Sequence, residues 1–291
     1  MKQSQFTFLS FILLCLLLIP SAASAQNNAK RKSTDKAPAA AVSKADSIHL
    51  QRIIAYQGRT AVGDSMPNSV RTLLNALDHH PYAVHADVRI TSDDNLIICA
   101  DDNLEGLYIA DSPYQLLADH PAFRSNGVAL LKEYLSKALR KLSRQGTPTT
   151  NILLEIHPTS NGEQNIRLCD QLADLLTCLR DMGAEKCVII TAPEISQCEQ
   201  LRVRLPYVRI LYQGSDVEPD KLSQAGINGL YCDIKAYYQH PEWLDAKLSN
   251  FITAVQPVSN EVDQLKLIDM GVQYLATNDF KQLISLFEKR K

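Results

Sequence analysis

Short apolar runs alternate along this chain with longer stretches whose apolar residues recur every three or four positions, and no other feature constrains the fold as tightly. A strand that must find a parallel neighbour needs a crossover, so repeated strand-then-helix units imply a parallel sheet with helices outside it. Strands are expected at Ile53–Tyr56, Ala83–Val88, Ile152–Ile156, Val188–Thr191, Val208–Tyr212, Gly229–Cys232, Ile252–Val255 and Tyr274–Ala276. Helical periodicity falls between them at Ser69–Leu77, Ile166–Met182, Ile195–Leu201, Lys221–Ala225, Glu242–Leu248 and Glu261–Met270, with a closing helix at Phe280–Glu288. Gly183, Gly226 and Gly271 stand where helices should end. Eight strands with right-sized crossovers predict an α/β fold, a TIM (β/α)8 barrel.

One interval is too long for a single crossover. Asp93–Asn95 reads as a turn into an added hairpin strand, Leu96–Cys99, and Leu107–Asn126 as an irregular excursion before a helix at Leu130–Leu142. In barrels such insertions at strand C-termini build the rim of the site.

The chain ahead of the barrel divides in two. Residues 1–25 carry Lys2, an uncharged apolar run from Phe8 to Ile19, and Ala23-Ser24-Ala25, which together read as a secretory signal peptide. The run falls short of the ~20 residues of a spanning helix, and Leu14 before Cys15 disfavours a lipoprotein anchor. Residues 26–47 are polar and small and predict a disordered leader, leaving 48–291 as the barrel domain. The chain is therefore expected to be exported, periplasmic or secreted, with no transmembrane segment once the signal is removed. A net charge of −2 without a basic, aromatic-interleaved stripe argues against nucleic acid. Cys99, Cys169, Cys178, Cys187, Cys198 and Cys232 are scattered through apolar segments and read as buried free thiols, a Cys187–Cys198 bridge remaining open.

Strand alternation places His85 and Asp87 on one face, and Glu155 and His157 on one face of a later strand. Such a polar cluster in a barrel is costly unless its members are hydrogen-bonded or hold an ion. His79-His80 reads as a solvated helix end, and His120 and His240, each before a proline, as turn residues. Trp243 reads as packing, and Tyr237-Tyr238, after the sixth strand, as candidates to line a pocket for an organic group.

The order of short motifs resembles the glycerophosphodiester phosphodiesterase family. Tyr56-Gln57-Gly58 stands where that family has His-Arg-Gly, His85-Ala86-Asp87 where it has Glu-x-Asp, and Ala100-Asp101-Asp102 where it has His-Asp-Asp. Asp87 to Asp94 follows its Asp-Val-x-Leu-Thr-x-Asp-Gly, and Leu154-Glu155-Ile156-His157 its Leu-Glu-Ile-Lys. Met66-Pro67-Asn68-Ser69 and the closing Gly271 to Asn278 complete a series spanning about Ile53 to Phe280, while the family's late tryptophan is replaced at Gln256–Asn260.

The resemblance implies a divalent-cation site at His85, Asp87 and Glu155, with calcium, magnesium, manganese or zinc as the ion. Replacing a carboxylate by His85 shifts the preference toward zinc or manganese. It implies ligand contacts at Gln57, Asn68 and His157, to which the position of Tyr237 after the sixth strand adds a fourth, and acid–base positions at Tyr56 and Ala100, neither of which shuttles protons well near neutral pH. Three functions are compatible with these residues. The first is a catalytically impaired homologue that binds a phosphodiester, polar lipid head group or other small anionic ligand. The second is an active metal-dependent phosphodiesterase with a rearranged site that uses His85, Asp87, Glu155 and His157, with His85 or His157 as base. The third is a cell-envelope interaction scaffold contacting a protein partner through its excursion.

Overall fold

The computed structural model describes residues 49–64, 66–146, 150–244 and 250–290. The expected signal peptide and leader lie outside these residues. From β1 (Ile53–Ala55) the chain crosses over to β2 (Ala83–Ile90) and folds back through β3 (Leu96–Ile98). A small hairpin follows, β4 (Asn103–Leu104) with β5 (Leu107–Tyr108), and then β6 (Ala129–Leu130). The strand–helix alternation resumes with β7 (Asn151–Ile156), β8 (Val188–Ala192), β9 (Arg209–Tyr212), β10 (Gly229–Cys232), β11 (Ile252–Val255) and β12 (Tyr274–Thr277). Pairing runs β1-β12-β11-β10-β9-β8-β7-β2, and β2 pairs back to β1, so eight parallel strands close a barrel. β3 joins β2 antiparallel, Val88 opposite Ile98, as the added hairpin strand.

Alternation along the strands makes two apolar shells. Ile54, Leu153, Ile189, Leu211, Tyr231 and Ala276 fill the barrel interior. Val84, Ala86, Val88, Leu154, Ile190 and Ile210 face outward against the helices. Helix starts follow local capping chemistry: Ser69 accepts from Thr72 N–H ahead of Val70–Ala76, and Asp279 from Gln282 N–H ahead of Phe280–Glu288. Gly183, Gly226 and Gly271 have positive φ after the segments they were expected to end. Among the described residues no helix is long and apolar enough to cross a membrane.

Three expectations change. Leu107–Asn126 is not irregular: beyond β5 it forms helices Tyr114–Asp119 and Pro121–Ser125. His120 caps the second of these, its Nδ1 accepting from Ala122 N–H at 3.2 Å. This insertion packs on its own apolar cluster, with Ile97, Leu104, Ile109, Leu117 and Phe123 inside. A helix not anticipated from the periodicity, Ile234–Gln239, follows β10 because Asp233 caps Ala236 N–H. Of the helix expected at 242–248, residues Pro241–Leu244 form a single 3-10 turn, and 245–249 lie outside the described residues. The six cysteines among the described residues are free, including Cys187 and Cys198, and all of these but Cys178 are buried.

The link between β1 and its helix positions the site. Tyr56–Gly58 is a 3-10 turn rather than the end of a strand, and Gln57 within it has φ 54°. Gly58 follows at φ +74°, where a Cβ would meet the Leu73 backbone at 2.9 Å. Only glycine combines that conformation with that approach. Gly58→Ala is therefore expected to lower unfolding free energy by on the order of 2–4 kcal/mol from backbone strain plus overpacking. Gly63→Ala, at φ +94° with nothing within 4 Å, should cost about 1 kcal/mol. Urea denaturation of both variants checks this, and equal costs would contradict it.

Candidate functional site

Asp87 and Glu155 are direct neighbours in the β2–β7 register, and His85 lies two residues earlier on the same face of β2. The Tyr56–Gly58 turn, at the end of β1, reaches over the same end of the barrel. The groups meet there in pairs. His85 Nε2 lies 2.7 Å from Glu155 Oε2, and His157 Nε2 lies 2.7 Å from Asp87 Oδ1. Asp87 Oδ2 accepts from Gln57 Nε2 at 3.0 Å and from Asn68 Nδ2 at 2.5 Å. The Asp87 N–H returns a bond to Asn68 Oδ1 at 3.2 Å. Tyr56 stacks on the His85 ring, centroids 4.7 Å apart.

The buried charges are thus answered by donors on the chain itself. Burial, the largest influence on Asp87, pushes its pKa up; the imidazoles of His85 and His157 and the Asn68 amide outweigh it and hold the carboxyl far below its ordinary range. For His85, burial pulls the pKa down, but Asp87 and Glu155 reverse the direction. Gln57 N–H opposes that pull, because it donates to His85 Nδ1 at 3.3 Å and leaves no place for a proton there. The imidazole proton consequently sits on Nε2, directed at Glu155. The Tyr56 hydroxyl is driven well above its ordinary value, first by burial and then by Asp87 and Glu155.

Ligand atoms of His85, Asp87 and Glu155 lie within 4.8 Å of one another, a group that could hold a metal ion. The donor types suit a cation, but the arrangement does not. A ligating imidazole turns a lone pair to the metal and donates its other N–H to an acceptor. Here the other nitrogen faces the Gln57 N–H donor, and Nε2 carries the proton.

The remaining expected positions separate clearly. Gln57 and Asn68 reach the site, but their amides are engaged by Asp87. His157 is one-quarter exposed and opens onto a cavity of about 370 Å³ shared with Arg89, Asp102, Tyr108, Asp111 and Ser160. Ala100 contributes its carbonyl, which accepts from Arg89 Nη2 at 2.7 Å. Tyr237 does not line a pocket: it is fully buried, and its hydroxyl donates to the Ala254 carbonyl at 2.9 Å. The unanticipated helix after β10 turns it into the core. His79 and His80 are exposed, and Trp243 is buried against His240, rings 4.2 Å apart. A larger cavity, about 790 Å³, is lined by none of His85, Asp87, Glu155 and His157.

Sequence reasoning missed Arg89 and Tyr231. Arg89 lines the cavity beside His157. Tyr231 is fully buried 6.0 Å from the His85 ring, and its hydroxyl has no partner among the described residues. Period-two alternation from Ile54 and His85 could have found Tyr231, because every second residue of a barrel strand faces inward.

No protein-family model and no curated protein matches the sequence. Solved structures do. A glycerophosphodiester phosphodiesterase from Parabacteroides distasonis aligns with TM-score 0.71 and 21% identity, covering 82% of this chain and 98% of the other. A phosphodiesterase from Oleispira antarctica, solved in complex with the product sn-glycerol-3-phosphate, gives 0.66 and 16% over 84% and 99% of the two chains. The Thermotoga maritima glycerophosphodiester phosphodiesterase gives 0.57 and 15% over 82% and 98%. The barrel is the fold of these enzymes, so the motif resemblance holds at the level of fold.

The Asp87 contacts predict a pH dependence. A carboxyl depressed on folding contributes its full stabilisation above the unfolded value of about 3.9 and loses it as pH falls toward the folded value. Unfolding free energy should therefore drop below about pH 4, and the drop should be shallower in Asp87→Asn. Urea titrations between about pH 6 and 3 test it; parallel slopes for the two proteins would contradict the assignment.

Proposed function

We propose that the chain is a glycerophosphodiester phosphodiesterase-like protein. It takes a phosphodiester, polar lipid head group or related small anion at the barrel mouth and turns it over poorly or not at all. The observation that carries this reading is the state of the proton-transfer positions. Tyr56 is a phenol held protonated over His85, and Ala100 offers only a backbone carbonyl already used by Arg89. His85, enclosed between Gln57 N–H and Glu155, has no free nitrogen. Groups that move protons in a transition state contribute about 10²–10⁴-fold each. The complex of the Oleispira neighbour with sn-glycerol-3-phosphate supports a ligand of this chemistry. Residues 1–25 support export to the periplasm or beyond.

One observation favours a second reading, an active enzyme with a rearranged site. His157 is oriented by Asp87 at 2.7 Å and opens to the cavity, the geometry of a base positioned by a carboxylate. An assay of glycerophosphodiester hydrolysis separates the two. The wild-type chain should show turnover near background, and Tyr56→His with Ala100→His and His85→Glu should raise it by at least about 10²-fold. Robust wild-type turnover abolished by His157→Ala would establish the second reading instead.

A further inference from the structure

We infer that the barrel mouth holds no divalent-cation site: the Gln57 backbone amide and the His85 imidazole close the position an ion would occupy, and ligands bind there without metal. The inference takes from the proposed function only the place where a ligand sits.

His85 has one ring proton to place. Gln57 N–H, at 3.3 Å, takes the lone pair of Nδ1, so the ring's one proton is on Nε2 and is given to Glu155 at 2.7 Å. Binding a metal at Nε2 would move that proton to Nδ1 and set two N–H groups against each other. Gln57 cannot readily turn its amide away. It sits at φ 54° in a turn that Gly58 seats on the Leu73 backbone, and its carbonyl is held by Asn68 N–H at 3.0 Å.

The spacing of the ligand atoms also disfavours an ion. Two ligand atoms bound to one tetrahedral ion at about 2.0–2.2 Å stand roughly 3.4 Å apart. Calcium, with more ligands at about 2.3–2.6 Å, brings neighbours in a pentagonal plane to roughly 2.8 Å, so spacing bears on zinc and the proton on Nε2 bears on calcium. Nε2 and Oε2 at 2.7 Å are at hydrogen-bond distance, closer than a tetrahedral ion between them permits. Asp87 is already committed: its Oδ1 takes His157 and its Oδ2 takes both Gln57 and Asn68. Three N–H donors from separate elements already supply the positive potential that a cation would.

Equilibrium dialysis of the full-length wild-type chain against calcium, manganese or zinc, followed by elemental analysis, tests the inference. Asp87→Ala dialysed in parallel subtracts ions held elsewhere. Wild type and Asp87→Ala should bind equal amounts up to about 1 mM, the weak end of protein calcium sites. His85→Glu, which restores a third carboxylate and removes the imidazole, should gain about one calcium per chain. If that variant does not fold, His85→Asp makes the same substitution with a shorter side chain. An equivalent of any ion bound by wild type and lost in Asp87→Ala would overturn the inference. So would a folded carboxylate variant that still binds nothing, because His85 would then not be what excludes the ion. Hydrolysis tells this inference apart from the proposed function: chelator-insensitive turnover by wild type would defeat the impaired-homologue reading and leave the metal-free mouth standing.

Discussion

A carboxylate buried at the end of a barrel must be neutralised or hydrogen-bonded, and much of the site architecture follows from how Asp87 meets that demand. Its donors come from three places: Gln57 in the turn after β1, Asn68 ahead of the first helix, and His157 just past β7. Each reaches it only because another constraint is met. Gln57 needs a left-handed turn, that turn needs Gly58 against Leu73, and His157 needs the β2–β7 register that sets Asp87 beside Glu155. The barrel closure and the polar cluster therefore support one another.

A parallel barrel can satisfy such carboxylates with a cation or with N–H donors, and the two solutions have different chemical consequences. A cation leaves nearby imidazoles free to accept protons. Donor imidazoles are spent on the carboxylates. In this protein His85 is enclosed between Gln57 and Glu155, and Tyr56 lies flat on its ring. Only His157 keeps an open edge, toward the cavity where Arg89 and Ser160 also stand.

Much of this was legible in the sequence. Every barrel strand was found within one or two residues, because short apolar runs separated by helix-period segments leave a parallel sheet little choice. The meeting of His85, Asp87, Glu155 and His157 followed from period-two alternation on two strands that proved adjacent. The failures share a cause: they depend on elements whose signal is local and polar. Asp233 caps a helix that turns Tyr237 into the core, and His120 with Pro121 starts a helix inside a segment that reads as irregular. The tautomer of His85 was beyond reach altogether, since it depends on one backbone N–H oriented by a positive φ at a non-glycine residue.

The central claim is that the chain's own donors, not an ion, satisfy the carboxylates at the mouth. Long-range ¹⁵N–¹H correlation on histidine-labelled protein reads it most directly. The His85 ring should show a protonated Nε2 and an unprotonated Nδ1, unchanged when zinc is added. A proton on Nδ1, or a His85 Nε2 resonance that moves to a metal-bound position on titration with zinc, would contradict the account.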